Sequence, residues 1–250
     1  MTELNQTVVL VFILFCRVGG CFIVVTGFSS ARVPVMARLF LACSVTLALA
    51  PILLSSATLK DTLTSDDKIF ELIIYESIVG FLLGLSVRVF MSAIQFMGVA
   101  IAMYIGMGTL PGIPVDDSEA MPVVGSFISL LAVVLFFLFD LHWEVLGGLL
   151  RSYDVVPVGT VLDPEFTLER LSHYLSTAFF LIAQISGPFL AYSLAVNLIF
   201  GLVNKMVPQV PAYFVSIPFL ICGGLFALYF LMSEMMIVFF TELARSISLQ

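Results

Sequence analysis

The sequence predicts an all-α polytopic membrane protein with about seven long apolar helices arranged as helical hairpins. Of its 250 residues, 61% are hydrophobic and 11% are charged, whereas a soluble domain has about 25% charged residues. Uncharged runs of membrane-crossing length recur along the chain, and they do not alternate apolar with polar residues as barrel strands do. Lipid offers no water to exposed backbone groups, so helices are the expected solution.

The apolar runs predict the helices in chain order. They are Val8–Ser30, Val35–Ala57, Ile69–Val87, Val89–Leu110, Met121–Phe139, Leu175–Phe200 and Phe214–Phe240. The first run would form about 34 Å of helix and cross the ~30 Å hydrocarbon core with some tilt. It is too long for the apolar part of a signal peptide, so we expect it to be retained. Only Arg88 separates the third and fourth runs, which leaves open whether they form two helices or one long bent helix.

The longest polar stretch, Asp140–Tyr174, contains a predicted helix start. Asp163 precedes Pro164, an order that suits a helix cap followed by the first helical position. Residues Glu165–Tyr174 are therefore predicted to form a short amphipathic helix. The segment 111–122 is acidic and holds three prolines, so it cannot continue as helix. No linker divides the chain into separate domains.

Few residues could carry out catalysis. His142 and His173 are 31 residues apart, and the four cysteines have no spacing that suits zinc, haem or an iron–sulfur cluster. Paired acids, a glycine-rich phosphate loop and a serine nucleophile motif are absent. The net charge is −7 and the basic residues are scattered singly, unlike a nucleic-acid-binding surface. We therefore expect a non-enzymatic protein without cofactor, metal or nucleic acid.

Arg17 is the charged residue that most needs an explanation, because it is the tenth residue of the first apolar run. A charge inside a membrane helix is costly and is usually paired. We expect a buried ion pair with a carboxylate of this chain or of a neighbour, and Glu76 is the nearest candidate in depth. An ion or substrate site is the alternative. Two small-residue stripes predict close helix packing, and they are Gly80 with Gly84, and Gly98 with Ala102 and Gly106.

Several motifs resemble those of the FliR family, the flagellar type III export-gate proteins. The turn Asn204-Lys205-Met206-Val207-Pro208-Gln209 is similar to the family's N-(R/K)-x-x-P-Q turn and is predicted to be the tip of a helical hairpin. Further matches lie elsewhere along the chain: Cys16–Phe22, Phe28–Pro34 with Arg38 and Leu39, Gly80 with Gly84 and Arg88, Gln95 with Gly98, Gly106 and Met107, and His142 with Ser152, Pro157 and Gly159. Two positions depart from the family pattern, Asp117 where a proline is usual and Pro211 where an asparagine is common.

The resemblance implies a fold and a function. One copy would join several copies of FliP and FliQ in the flagellar basal body, at the bacterial inner membrane. The ring would export unfolded rod, hook and filament subunits together with FlhB-type and FlhA-type components. Residues 1–174 would resemble a FliP-like unit and 175–250 a FliQ-like hairpin within one domain, 1–250.

The resemblance also implies a channel plug in the loop after the fourth apolar run. Its residues would be Gly106, Met107, Gly108, Leu110, Pro111 and Met121. Without the resemblance, the same segment is an ordinary acidic loop. Three other functions stay open: a subunit of an injectisome export gate, a small-molecule transporter and a membrane-embedded enzyme. The last two are disfavoured because ionisable residues are few and no inverted repeat or nucleophile is evident.

Overall fold

A computed structural model describes residues 3–25, 33–54, 69–110, 121–159, 164–207, 209 and 212–248. These residues form seven helices and no strand, which confirms the predicted all-α class. The helices are α1 Glu3–Val24, α2 Val35–Leu54, α3 Ile69–Tyr104, α4 Val123–Leu138, α5 Leu141–Val155, α6 Pro164–Met206 and α7 Ala212–Ser248. Five of them are long and apolar enough to cross a membrane, or up to six if α4 and α5 form one broken span.

Two of the long helices join segments that the sequence separates. Helix α3 runs through Arg88 without a break, so the third and fourth apolar runs form one helix of 36 residues. Helix α6 begins at Pro164, as expected, and continues through Tyr174 to Met206. Residues Glu165–Tyr174 are helical as predicted, but the prediction of a short helix of their own is wrong, because they are the first part of α6. The sequence changes from polar to apolar there, but no proline or glycine interrupts the backbone. Asp163 lies outside the described residues.

Helix α5 was not predicted. Its 15 residues lie in the polar stretch and include Glu144 and Arg151, which form a salt bridge at 3.2 Å. The helix follows Asp140, whose φ of 55° lies in the left-handed region that aspartate tolerates better than most residues. The observed seven helices thus differ from the predicted seven runs, because two runs merge and one short helix is added.

The chain divides into two compact units. Unit 1 comprises Met1–Val89, Asp140–Tyr174 and Ala244–Gln250, and unit 2 comprises Phe90–Phe139 and Leu175–Leu243. The predicted division at residue 174 concerns resemblance to two other proteins and stays a prediction.

Close helix contacts hold each unit together. In unit 1, a Cβ at Gly84 would lie 2.6 Å from the carbonyl oxygen of Cys21, and a Cβ at Gly80 would overlap the carbonyl of Arg17. In unit 2, a Cβ at Gly98 would lie 3.1 Å from the Cα of Gly125. Both small-residue stripes are therefore helix-packing surfaces, as the spacing predicts.

Candidate functional site

The first candidate site is a buried polar cluster in unit 1, centred on Arg17. Helix α1 packs so tightly on α3 that the backbone of Arg17 touches Gly80, which lies one turn beyond Glu76 on α3. The Arg17 side chain is fully buried and Glu76 is 2% exposed. The structure thus brings together the two residues that the sequence named as a possible pair.

The guanidinium of Arg17 binds the carboxylate of Glu76 through two hydrogen bonds. Its Nε donates to one carboxylate oxygen at 2.5 Å, and its second terminal nitrogen donates to the other at 3.0 Å. This bidentate geometry is the strongest form of arginine–carboxylate contact. Because both groups are removed from water, their mutual attraction offsets a large desolvation cost.

The remaining contacts of Arg17 reach the C-terminal end of α5. One terminal nitrogen donates to Ser152 Oγ at 3.2 Å, and the other donates to the carbonyl of Val156 at 3.0 Å. The guanidinium carbon lies 4.0 Å from the ring centroid of Tyr153, a cation–π contact. Arginine has five N–H donors. Arg17 makes four hydrogen bonds with them, two to Glu76, one to Ser152 and one to Val156.

The cluster joins three helices and holds the negative end of the α5 dipole against a positive charge. Ser152 accepts from Arg17 and donates to the carbonyl of Leu149 at 2.6 Å, so it links the guanidinium to the last turn of α5. Arg17, Glu76 and Ser152 satisfy one another, whereas the buried hydroxyl of Tyr153 has no hydrogen-bond partner among the described residues. None of these groups is arranged as a nucleophile with a base. Within the described ranges, no group of three His, Cys, Asp or Glu side chains could hold a metal ion. The arrangement is suited to positioning helices.

The second candidate site is the start of the loop that follows α3, in unit 2. Gly106 has a φ of +79°, which favours glycine. Its N–H donates to the carbonyl of Met103 at 3.2 Å, and the N–H of Met107 donates to the carbonyl of Ala102 at 2.8 Å. This pair of bonds is a Schellman motif, so the sequence ends α3 at a defined point.

The two ends of the loop meet. The N–H of Leu110 donates to the carbonyl of Met107 at 3.3 Å, and the N–H of Val123 donates to the carbonyl of Leu110 at 3.1 Å. The described residues on either side of segment 111–120 are therefore hydrogen-bonded to each other. Pro111 lies outside the described residues, while Gly108 and Met121 are half-buried.

Helix α7 packs against the residues at the start of this loop. A Cβ at Gly224 would overlap the side chain of Ile105, which is fully buried. A Cβ at Gly106 would lie 3.0 Å from Leu220 Cδ2. We define the loop base as residues 105–110 with Val123. It rests on α7 because Gly224 leaves room for Ile105.

The predicted hairpin tip lies between α6 and α7 and is exposed. Asn204, Lys205 and Gln209 are all exposed, and Pro208 lies outside the described residues. Away from the tip, Tyr192 Oη donates to the carbonyl of Phe219 at 2.6 Å, which joins the two helices. The tip residues do not join either cluster among the residues that the structure describes.

Sequence reasoning missed part of each site. Ser152 was noticed only in a motif, and Tyr153 and Val156 were not considered. Gly224 was not predicted to belong to a site, although glycine inside a helix is less favourable than alanine by about 1 kcal/mol. Two adjacent glycines in an apolar helix are a signal of close packing that could have identified the Ile105 contact.

Comparisons with known proteins identify relatives over most of the chain. The sequence profile of "Bacterial export proteins, family 1" matches residues 8–246. A flagellar biosynthetic protein FliR from Bacillus subtilis is 27% identical over 230 residues, covering 90% of this chain and 87% of the relative. The FliR protein of Caulobacter vibrioides is 25% identical over 214 residues, or 85% and 84% of the two chains. The Escherichia coli FliR is 24% identical over 197 residues, or 79% and 74%.

Proposed function

The chain belongs to family 1 of the bacterial export proteins, and from this membership we propose that it is a non-enzymatic subunit of the flagellar type III export gate. In this proposal it forms a channel with FliP and FliQ, through which unfolded rod, hook and filament subunits leave the cell. The three relatives described above are named as flagellar proteins, which favours flagellar over injectisome use.

The observation that carries the proposal is the difference between helix length and membrane thickness. Helix α6 has 43 residues and α7 has 37, so they are about 64 and 55 Å long at 1.5 Å per residue. The hydrocarbon core is about 30 Å thick. Only 22% of the residues in the apolar stretch of α6 and 17% of those in α7 are buried within the chain. Lipid is too thin to cover the rest of this apolar surface, so other subunits are expected to cover it.

The apolar helices are those of a membrane protein. We propose that the chain acts in the flagellar basal body at the bacterial inner membrane, which the flagellar names of its relatives support. FlhB-type and FlhA-type components are the further partners that this role requires. The Arg17–Glu76 pair is then a structural element that sets the positions of α1, α3 and α5.

We further propose that the loop bearing Gly106, Met107, Gly108, Leu110, Pro111 and Met121 plugs the channel at rest. The support for this proposal is the loop base. The residues that flank segment 111–120 are hydrogen-bonded to each other, so in this proposal the segment is displaced without disturbing the helices beside it. The glycine at 106 gives the turn its left-handed backbone.

A clean chromosomal deletion tests the export function. Secretion of rod, hook and filament subunits should be lost while their synthesis inside the cell continues, and a plasmid copy should restore secretion. Quantitative mass spectrometry of the culture medium and of whole cells measures both. A deletion strain that swims and secretes normally would refute the flagellar function.

A further inference from the structure

Helix α7 has one buried and one exposed side in unit 2. The buried side is formed by Leu228, Met235, Met236, Phe239, Phe240 and Leu243. The exposed side carries residues 226, 230, 234, 237 and 241, which lie within about 80° of one another at 100° per residue. We call these five residues the α7 stripe: Phe226, Phe230, Glu234, Ile237 and Thr241.

The α7 stripe is apolar except for Glu234 and Thr241. Its aromatic members are 66% and 59% exposed, and their ring centroids are 4.6 Å apart. Glu234 is exposed as well, and the part of the chain that the structure describes offers it no hydrogen bond or ion pair. A carboxylate therefore lies between large apolar side chains with no partner there.

Lipid hydrocarbon is an unfavourable environment for this side of α7. A carboxylate on an apolar helix is costly in hydrocarbon and usually faces protein or a water-filled cavity. The same side of α7 is already a helix-packing surface nearer the hairpin tip. There Gly223 leaves room for the hydroxyl of Tyr192 on α6, which bonds the carbonyl of Phe219. The α7 stripe continues that side beyond this contact.

We propose that the α7 stripe is a docking surface for an apolar helix of a companion export-gate subunit, and that this helix carries one lysine or arginine at the level of Glu234. The inference rests on the proposed function, since it requires an assembly with companions. The aromatic residues provide apolar contact area, and the carboxylate sets the register by accepting from a cationic side chain.

Charge reversal in the whole complex tests the inference. The affinity-tagged chain, its Glu234→Lys and Glu234→Gln variants, and the matched Glu169→Lys control would be expressed with the native operon. Glu169 is an exposed carboxylate on the amphipathic start of α6. Companion subunits that co-purify are quantified by mass spectrometry, relative to the amount of the chain in the membrane. A photo-cross-linking residue at Phe230 identifies the neighbour.

Glu234→Lys should lower the co-purified companion by about tenfold or more, because like charges brought together across an interface are strongly repulsive. Glu234→Gln should reduce it less and Glu169→Lys should leave it unchanged. Reversing the cross-linked companion's basic residue to glutamate should restore the complex with Glu234→Lys. Full retention of companions by Glu234→Lys, or a cross-link only to lipid or to a second copy of this chain, would overturn the inference. A wild-type chain that retains no companion would instead refute the proposed function, and this inference with it.

Discussion

Removal of the Arg17 side chain tests how strongly the buried cluster stabilises unit 1. In Arg17→Leu, Glu76 keeps a carboxylate whose side chain is 3% exposed and loses both guanidinium bonds. Removing one partner of a buried pair costs about 3–5 kcal/mol. At about 2–4 °C per kcal/mol for a chain of this size, the melting temperature should fall by about 6–20 °C.

Two further variants separate charge from packing. Arg17→Lys keeps the charge, but an ammonium has three donors and cannot reach Glu76, Ser152 and Val156 in the planar fork of a guanidinium. It should lose about 1.5–3 kcal/mol, the contribution of one hydrogen bond to a charged group. The double variant Arg17→Leu with Glu76→Leu leaves no buried charge, so it should be more stable than Arg17→Leu alone.

The assay is the thermal unfolding of the purified complex in detergent, followed by size-exclusion chromatography of heated samples. Glu76→Leu alone completes the double-mutant cycle, and it should be about as harmful as Arg17→Leu because it leaves the guanidinium unpaired. Melting temperatures for Arg17→Leu and Arg17→Lys that equal the wild-type value would contradict the reasoning. A double variant that melts at a lower temperature than Arg17→Leu alone would do so as well.

Three other predictions concern the loop and the hairpin tip. Gly224→Ala should overpack against Ile105 at a cost of about 1–3 kcal/mol and make the complex leak ions in planar bilayers. The matched control Gly201→Ala has open space around it and should not leak. Deletion of Gly108–Glu119 should leave the complex assembled but raise its ion conductance. A deletion complex that conducts no more than the parent would indicate that the segment is an ordinary loop. Pro208→Ala should lower the yield of the assembled complex; an unchanged yield with altered substrate choice would contradict a packing role for the turn.

The helical class was predictable because it depends on composition and on the length of apolar runs. The continuity of α3 was left open and that of α6 was not predicted, because a change from apolar to polar residues marks a change of surroundings and leaves the backbone free to continue. At Arg88 and at Tyr174 the helix goes on through the boundary. Helix α5 was not predicted for a related reason. Its polar residues made the segment resemble a loop between two membrane helices.

The two sites differ in how far the sequence revealed them. Arg17 and Glu76 were identifiable because a charge in an apolar run demands a partner. The carbonyl of Val156 was not identifiable, since every residue has a carbonyl and only the fold brings this one to Arg17. The loop base depends on the contact between Ile105 and Gly224, which are more than one hundred residues apart in the sequence.

Arg17 and Glu234 present the same physical problem, a charge in an apolar helix, at two levels of organisation. Arg17 is fully buried with its carboxylate in the same unit, so its desolvation is offset as the chain folds. Glu234 is exposed, and under our inference a companion subunit offsets its charge only on assembly. In cells that lack the companions, Arg17→Leu should therefore lower the amount of protease-resistant chain in the membrane, whereas Glu234→Lys should not. In cells that have them, both variants should lower the amount of complex. Equal losses without companions would mean that Glu234 also contributes to folding of the chain itself, and the distinction between the two charges would be wrong.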